Sequence, residues 1–173
     1  MNLNHLNILL ADDDPDDCLF FEHALQELSE STHLTIVHDG EELMGYLTNI
    51  TAVGTVARAE NVWAENVLPL PDGTQQFAPL PDVLFLDINM PRKNGLECLS
   101  EIKHNEMLKN LAVVTFSTSN SWETINMLFK SGSNVYIHRP SDFSQLKQVI
   151  DHALPIAAEN KFSNCKVKYV LNA

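Results

Sequence analysis

Cations are scarce in this chain. Its 173 residues carry 11 Lys and Arg against 23 Asp and Glu, a formal net charge of −12 at pH 7. That balance argues against a nucleic-acid partner, which would need clustered positive charge to neutralise phosphates, and equally against an anionic membrane surface. Cysteine is scarce too. Cys18, Cys98 and Cys165 are three in number and far apart, which excludes a disulfide framework and reads as reduced, buried thiols. No stretch approaches the roughly 20 apolar residues of a membrane span. The start, MNLNHLNILLADDD, has no basic segment ahead of its short apolar run, so it does not read as a signal peptide. These absences together point to a cytoplasmic protein. There is no internal repeat and no low-complexity tract.

What the chain does contain is an alternation. Short apolar runs of strand length, NILLA at 7–11, LTIV at 34–37, VLFL at 83–86, AVVTF at 112–116 and VYI at 135–137, are separated by stretches with apolar residues at helical spacing. The helices are predicted over 15–30, 41–50, 95–106, 121–130 and 142–158. In the first of them Leu19, Phe20, Ala24, Leu25 and Leu28 carry the period. Strands that are apolar throughout imply a sheet covered on both faces. Five strands alternating with five helices therefore predict a doubly wound α/β fold with a parallel sheet. Residues 51–81 interrupt the pattern with four of the eight prolines, Trp63 and an Asp72-Gly73 turn signal. The last residues, 159–173, read as a tail too short for an output domain. Within it Val167, Tyr169 and Leu171 alternate with Lys166, Lys168 and Val170, which suggests one more strand.

A parallel sheet gathers its functional groups at the carboxyl ends of its strands. The strand ends here carry Asp12 and Asp13, then Asp87, then Ser117 and Thr118, then His138-Arg139-Pro140. Three carboxylates converging in one pocket suit Mg²⁺, a hard cation that takes oxygen ligands and also accepts a phosphoryl oxygen; Mn²⁺ would serve as well. In the acidic run ADDDPDD at 11–17, Asp12 and Asp13 are the candidate ligands. Asp14 reads as a helix cap with Pro15 at the first helical position, and Asp16 and Asp17 as acids suited to the helix dipole.

The segment FLDINMPRKNG at 85–95 resembles the phosphoacceptor stretch of response regulator receiver domains in two-component signalling. There an Asp is followed by Met-Pro three and four positions on and by Gly eight positions on. Asp87, Met90, Pro91 and Gly95 match. The acid pair, the hydroxyl and the basic residue before proline match at the other strand ends. The resemblance covers about residues 5–155, interrupted by 51–81, and implies a flavodoxin-like sheet of order 2-1-3-4-5. It implies roles as well: Asp87 as phosphoacceptor, and Asp13 and Asp12 as direct and water-mediated metal ligands. Asn89 would lend a backbone carbonyl to the metal, Ser117 would be the switch hydroxyl, and Tyr136 the aromatic that turns inward with it. The family has Lys where this chain has Arg139, and an arginine fork is not interchangeable with a lysine point charge.

The receiver would span 1–158 and stand alone, without turnover as an enzyme. Its partners would be a histidine kinase or phosphotransfer protein and a downstream target; self-association as a homodimer stays open. The start ILLADDDP is similar to that of single-domain receivers that pair with phytochrome-type kinases. Two other readings compete. A pseudo-receiver, never phosphorylated, draws on Arg139 alone. A phosphatase of the haloacid dehalogenase type would want a second Asp two positions after the nucleophile, where this chain has Asn89.

Overall fold

In the computed structural model the described residues are 6–28, 32–56, 68–69, 75–76, 80–119, 121–140, 142–162 and 169–171, with side chains left aside at 52–79 and 158–169. Trp63, Asp72-Gly73 and Cys165 lie outside what is described. The elements run β1 (Asn7–Ala11), α1 (Pro15–Leu28), β2 (His33–Val37), α2 (Gly40–Val56), β3 (Leu68–Pro69), β4 (Gln75–Gln76), β5 (Val83–Asp87), α3 (Gly95–His104), β6 (Ala112–Ser117), α4 (Trp122–Lys130), β7 (Val135–His138), α5 (Phe143–Phe162) and β8 (Tyr169–Leu171).

The main sheet has the order β2-β1-β5-β6-β7-β8, and every pairing in it is parallel. Without β8, and with the short β3–β4 hairpin set aside, this is the order 2-1-3-4-5. Among the described residues the sheet has six strands, one more than the five apolar runs predict. The sixth comes from the alternating segment of the tail and pairs with β7 through Tyr169, Val170 and Leu171. The last helix also continues to Phe162, past the expected end at 158. Within the inserted region, α2 runs on to Val56, and β3 and β4 pair antiparallel.

Strand residues alternate between two cores. Ile8, Leu10, Phe85, Val114, Phe116 and Ile137 pack under α1 and α5. Leu9, Ala11, Leu84, Leu86, Val113 and Tyr136 pack against α2, α3 and α4. A period of two thus supplies apolar side chains to both faces, the reason the runs read as continuous. In α1 the inward stripe differs in phase from the apolar spacing. Cys18, Phe21, Ala24 and Leu25 are buried, whereas Leu19 and Phe20 are 46% and 48% exposed. The spacing 18, 21, 25 also follows the helical period, and Phe21 takes the central position by packing on Phe85 and Phe116. Phe20 instead meets Phe143 of α5 edge-on at the rim.

Candidate functional site

The site is built on the carboxyl ends of β1, β5, β6 and β7. Asp12 follows β1 directly, with its main-chain N–H donating to Val37 O at 3.1 Å. Its Oδ1 accepts from Asp14 N at 3.1 Å, which folds the acidic run back over the strand end. Asp14 then caps α1, its Oδ1 accepting from Asp16 N at 2.9 Å and Asp17 N at 3.3 Å. Pro15 is the first helical residue, as the reading of Asp14 and Pro15 as a helix start expects.

Asp87 ends the central strand and is 4% exposed. The loop after it returns tightly: Gly95 N donates to Ile88 O at 3.0 Å. A Cβ on Gly95 would lie 2.2 Å from Asp87 O, so the glycine eight positions on is a steric requirement. Asn94 and Glu97 form a reciprocal capping box at the start of α3, which fixes the far end of the loop. Met90 is buried in the core under it.

Asp12, Asp13 and Asp87 each offer a carboxylate oxygen, and these atoms lie within 4.8 Å of one another. Three oxygens at that spacing, two of them on buried residues and one on exposed Asp13, fit a hard divalent cation that keeps several of its waters. Burial pushes the Asp87 carboxyl up to about 6, and the charge of Asp12 pushes the same way; the Asn89 and Ile88 N–H groups resist, and Asp13 adds to the rise. Asp12 is also raised, first by burial, with Arg139 and the Asp14 N–H opposing. A carboxylate cluster strained in this way gains from a cation.

Arg139, at the end of β7, reaches across the site. Its Nη2 lies 2.6 Å from Asp12 Oδ2 and 3.2 Å from Asp87 Oδ1. Arg139 thus pairs with Asp87. The guanidinium has two further partners that the sequence did not suggest, Asp12 and, through Nη1, Asp17 of α1. Asp17 reads as a helix-dipole acid because nothing local marks it; only the crossing of α1 with the β7–α5 loop brings it near residue 139.

The remaining expected residues divide. Ser117 ends β6, is 3% exposed, and its Oγ accepts from Ser119 N at 3.2 Å. Tyr136 is wholly buried, already turned inward, and its hydroxyl donates to the main-chain oxygens of Ser117 and Ser119. Burial raises its phenol above the ordinary value, and the bond to Ser117 opposes that. Asn89 is exposed and has its N–H turned to Asp87. Thr118 is exposed. His138 and Trp122 take no part in the cluster; Trp122 is 65% exposed. The sequence also gave no sign of Asp39. It caps α2, with Oδ1 accepting from Glu41 N and Glu42 N at 2.8 and 2.9 Å. Its Oδ2 pairs with Arg92, which holds a positive φ of 62° in the loop after Asp87. The β2–α2 turn is thereby tied to the acceptor loop.

Comparison with known proteins agrees with this geometry. The family model of the response regulator receiver domain matches residues 62–151. Response regulator Rcp1 of Synechocystis sp. is 25% identical over 143 residues, spanning 83% of this chain and 82% of that protein. Among solved structures, the phosphorylated cyanobacterial phytochrome response regulator RcpA superposes with a TM-score of 0.66 at 31% identity, covering 86% of this chain and 91% of that one. The Mn²⁺-bound form of Rcp1 gives 0.64 at 26% identity, covering 85% and 90%. The chain belongs to the response regulator receiver family, whose members are signalling proteins of two-component systems. Among the described residues no helix is long and apolar enough to cross a membrane.

Proposed function

We propose that this chain receives a phosphoryl group on Asp87 from a histidine kinase or phosphotransfer protein and signals by phosphorylation-dependent docking. The observation that carries the reading is the position of Asp87: buried at the end of the central strand, within 4.8 Å of two further carboxylates and 3.2 Å from Arg139. An Asp87 carboxylate oxygen attacks the phosphorus of a phosphohistidine, the P–N bond breaks, and the imidazole leaves with the electron pair and takes up a proton. Asp12, Asp13 and Asp87 would hold Mg²⁺ or Mn²⁺, with the Asn89 carbonyl as a further ligand. When bound, the cation neutralises charge on the transferring group. Arg139 adds a positive fork beside the acceptor. Ser117 is the hydroxyl available at the neighbouring strand end, and Tyr136 the aromatic beneath it that would relay a shift of the β6–α4 loop. The 31% identity to a phytochrome response regulator supports a phytochrome-type kinase as the donor. The location would be the cytoplasm, with 51–81 lying outside the phosphorylation machinery.

Intact-mass measurement after incubation with acetyl phosphate and Mg²⁺ tests this. The wild type should gain one phosphoryl group, and Asp87→Asn none. An equal gain in the variant would remove Asp87 from the role.

A further inference from the structure

We propose that Asp17 is the holding site for Arg139, the carboxylate that keeps the guanidinium when Asp12 and Asp87 are given up to a divalent cation. The inference rests on the phosphoacceptor reading of Asp87. It starts from a conflict in the site. Nη2 of Arg139 sits on oxygens of Asp12 and Asp87, at 2.6 and 3.2 Å. Those two residues are also members of the cluster that fits a cation. A guanidinium and a divalent cation drawn to the same two carboxylates repel strongly at such separations. Arg139 therefore competes with the cation, and its side chain must yield.

The same guanidinium has a second anchor. Nη1 pairs with Asp17, which is not part of the three-acid cluster. Asp17 sits in the first turn of α1, its N–H held by the Asp14 cap at 3.3 Å, so its backbone is fixed. Its side chain is 39% exposed, against 6% for those of Asp12 and Asp87. An ion pair there can rearrange without burying an unpaired charge. The planar fork lets Arg139 rotate off the cluster while one edge stays on Asp17, a geometry that a lysine point charge would not offer.

The test is a double-mutant cycle read by Mn²⁺ affinity, with free Mn²⁺ followed by electron paramagnetic resonance and no phosphodonor present. Arg139→Gln should tighten Mn²⁺ binding. Asp17→Asn should weaken it by on the order of tenfold, the scale of couplings between contacting charges, because Arg139 then has only Asp12 and Asp87 to pair with. In the Arg139→Gln background, Asp17→Asn should have almost no effect. Asp16→Asn removes the same charge from the same helix turn and should behave like wild type. Equal weakening by Asp17→Asn in both backgrounds, or by Asp16→Asn, would reduce the effect to loss of nearby negative charge and overturn the proposal alone. Absence of Mn²⁺ binding in the wild type would overturn the phosphoacceptor reading as well.

Discussion

Gly95 and Asp87 touch through their backbones: a Cβ on Gly95 would stand 2.2 Å from Asp87 O and 2.8 Å from Ile88 Cα. The start of α3 is thus pressed under the acceptor, and the Gly95 N–H to Ile88 O bond of 3.0 Å closes the loop. The neighbours are main-chain atoms, which cannot swing aside as a flexible side chain would.

Gly95→Ala should therefore cost stability and acceptor geometry together. Overpacking of this kind costs about 1–3 kcal/mol. Urea unfolding should show a lower midpoint with an unchanged slope, and acetyl phosphate labelling should fall. A midpoint and a labelling rate equal to wild type would show that the loop relaxes freely and that the close approach is not a constraint.

Much of this site was legible in the sequence because a parallel sheet converts strand-end position into proximity. Asp12, Asp87, Ser117 and Arg139 needed only the strand boundaries. What was not legible depends on how helices pack across the chain. Asp17 and Arg139 are distant in sequence, and only the seating of α1 against α5 joins them. The phase of α1 depends on distant residues for a related reason. Leu19 and Phe20 are as apolar as Phe21, and choosing the inward stripe requires knowing that Phe85 and Phe116 wait on the sheet. The β8 strand was suggested by alternation, but nothing local says that it pairs in parallel with β7.

The cysteines give a prediction independent of the phosphoryl chemistry. Burial pushes the Cys18 thiol up to about 12, with Asp12, Asp14 and Asp13 adding to the rise. Burial likewise pushes Cys98 up to about 11, with Lys93 opposing. Both are protonated at neutral pH, and the thiolate is the reactive form. Iodoacetamide at pH 7.5 should leave both unmodified in the native protein and modify both in urea, as mapped by peptide mass. Rapid native alkylation of Cys18 or Cys98 would contradict their burial.

The last prediction concerns the acceptor in metal-free protein. With its carboxyl raised to about 6 by burial, against about 3.9 in an unfolded chain, folded Asp87 binds its proton more tightly than unfolded Asp87 does. Between those values the native state holds the extra proton, so stability falls as pH rises through this window. Above it, the penalty for the buried charge is complete, on the order of 2–3 kcal/mol. Asp87→Asn removes the charge and leaves Asp12 and Asp17 to pair with Arg139. In chelator at pH 7.5 the variant should be more stable than wild type, and the gap should narrow as pH is lowered towards 4.5. At pH 7.5, Mg²⁺ should raise the melting temperature of wild type and have less effect on the variant. The measurement is a set of thermal melts across that pH range, with and without the cation. A gap that is constant with pH would mean that Asp87 is not ionised against a penalty, and that the site needs no cation to hold its charge.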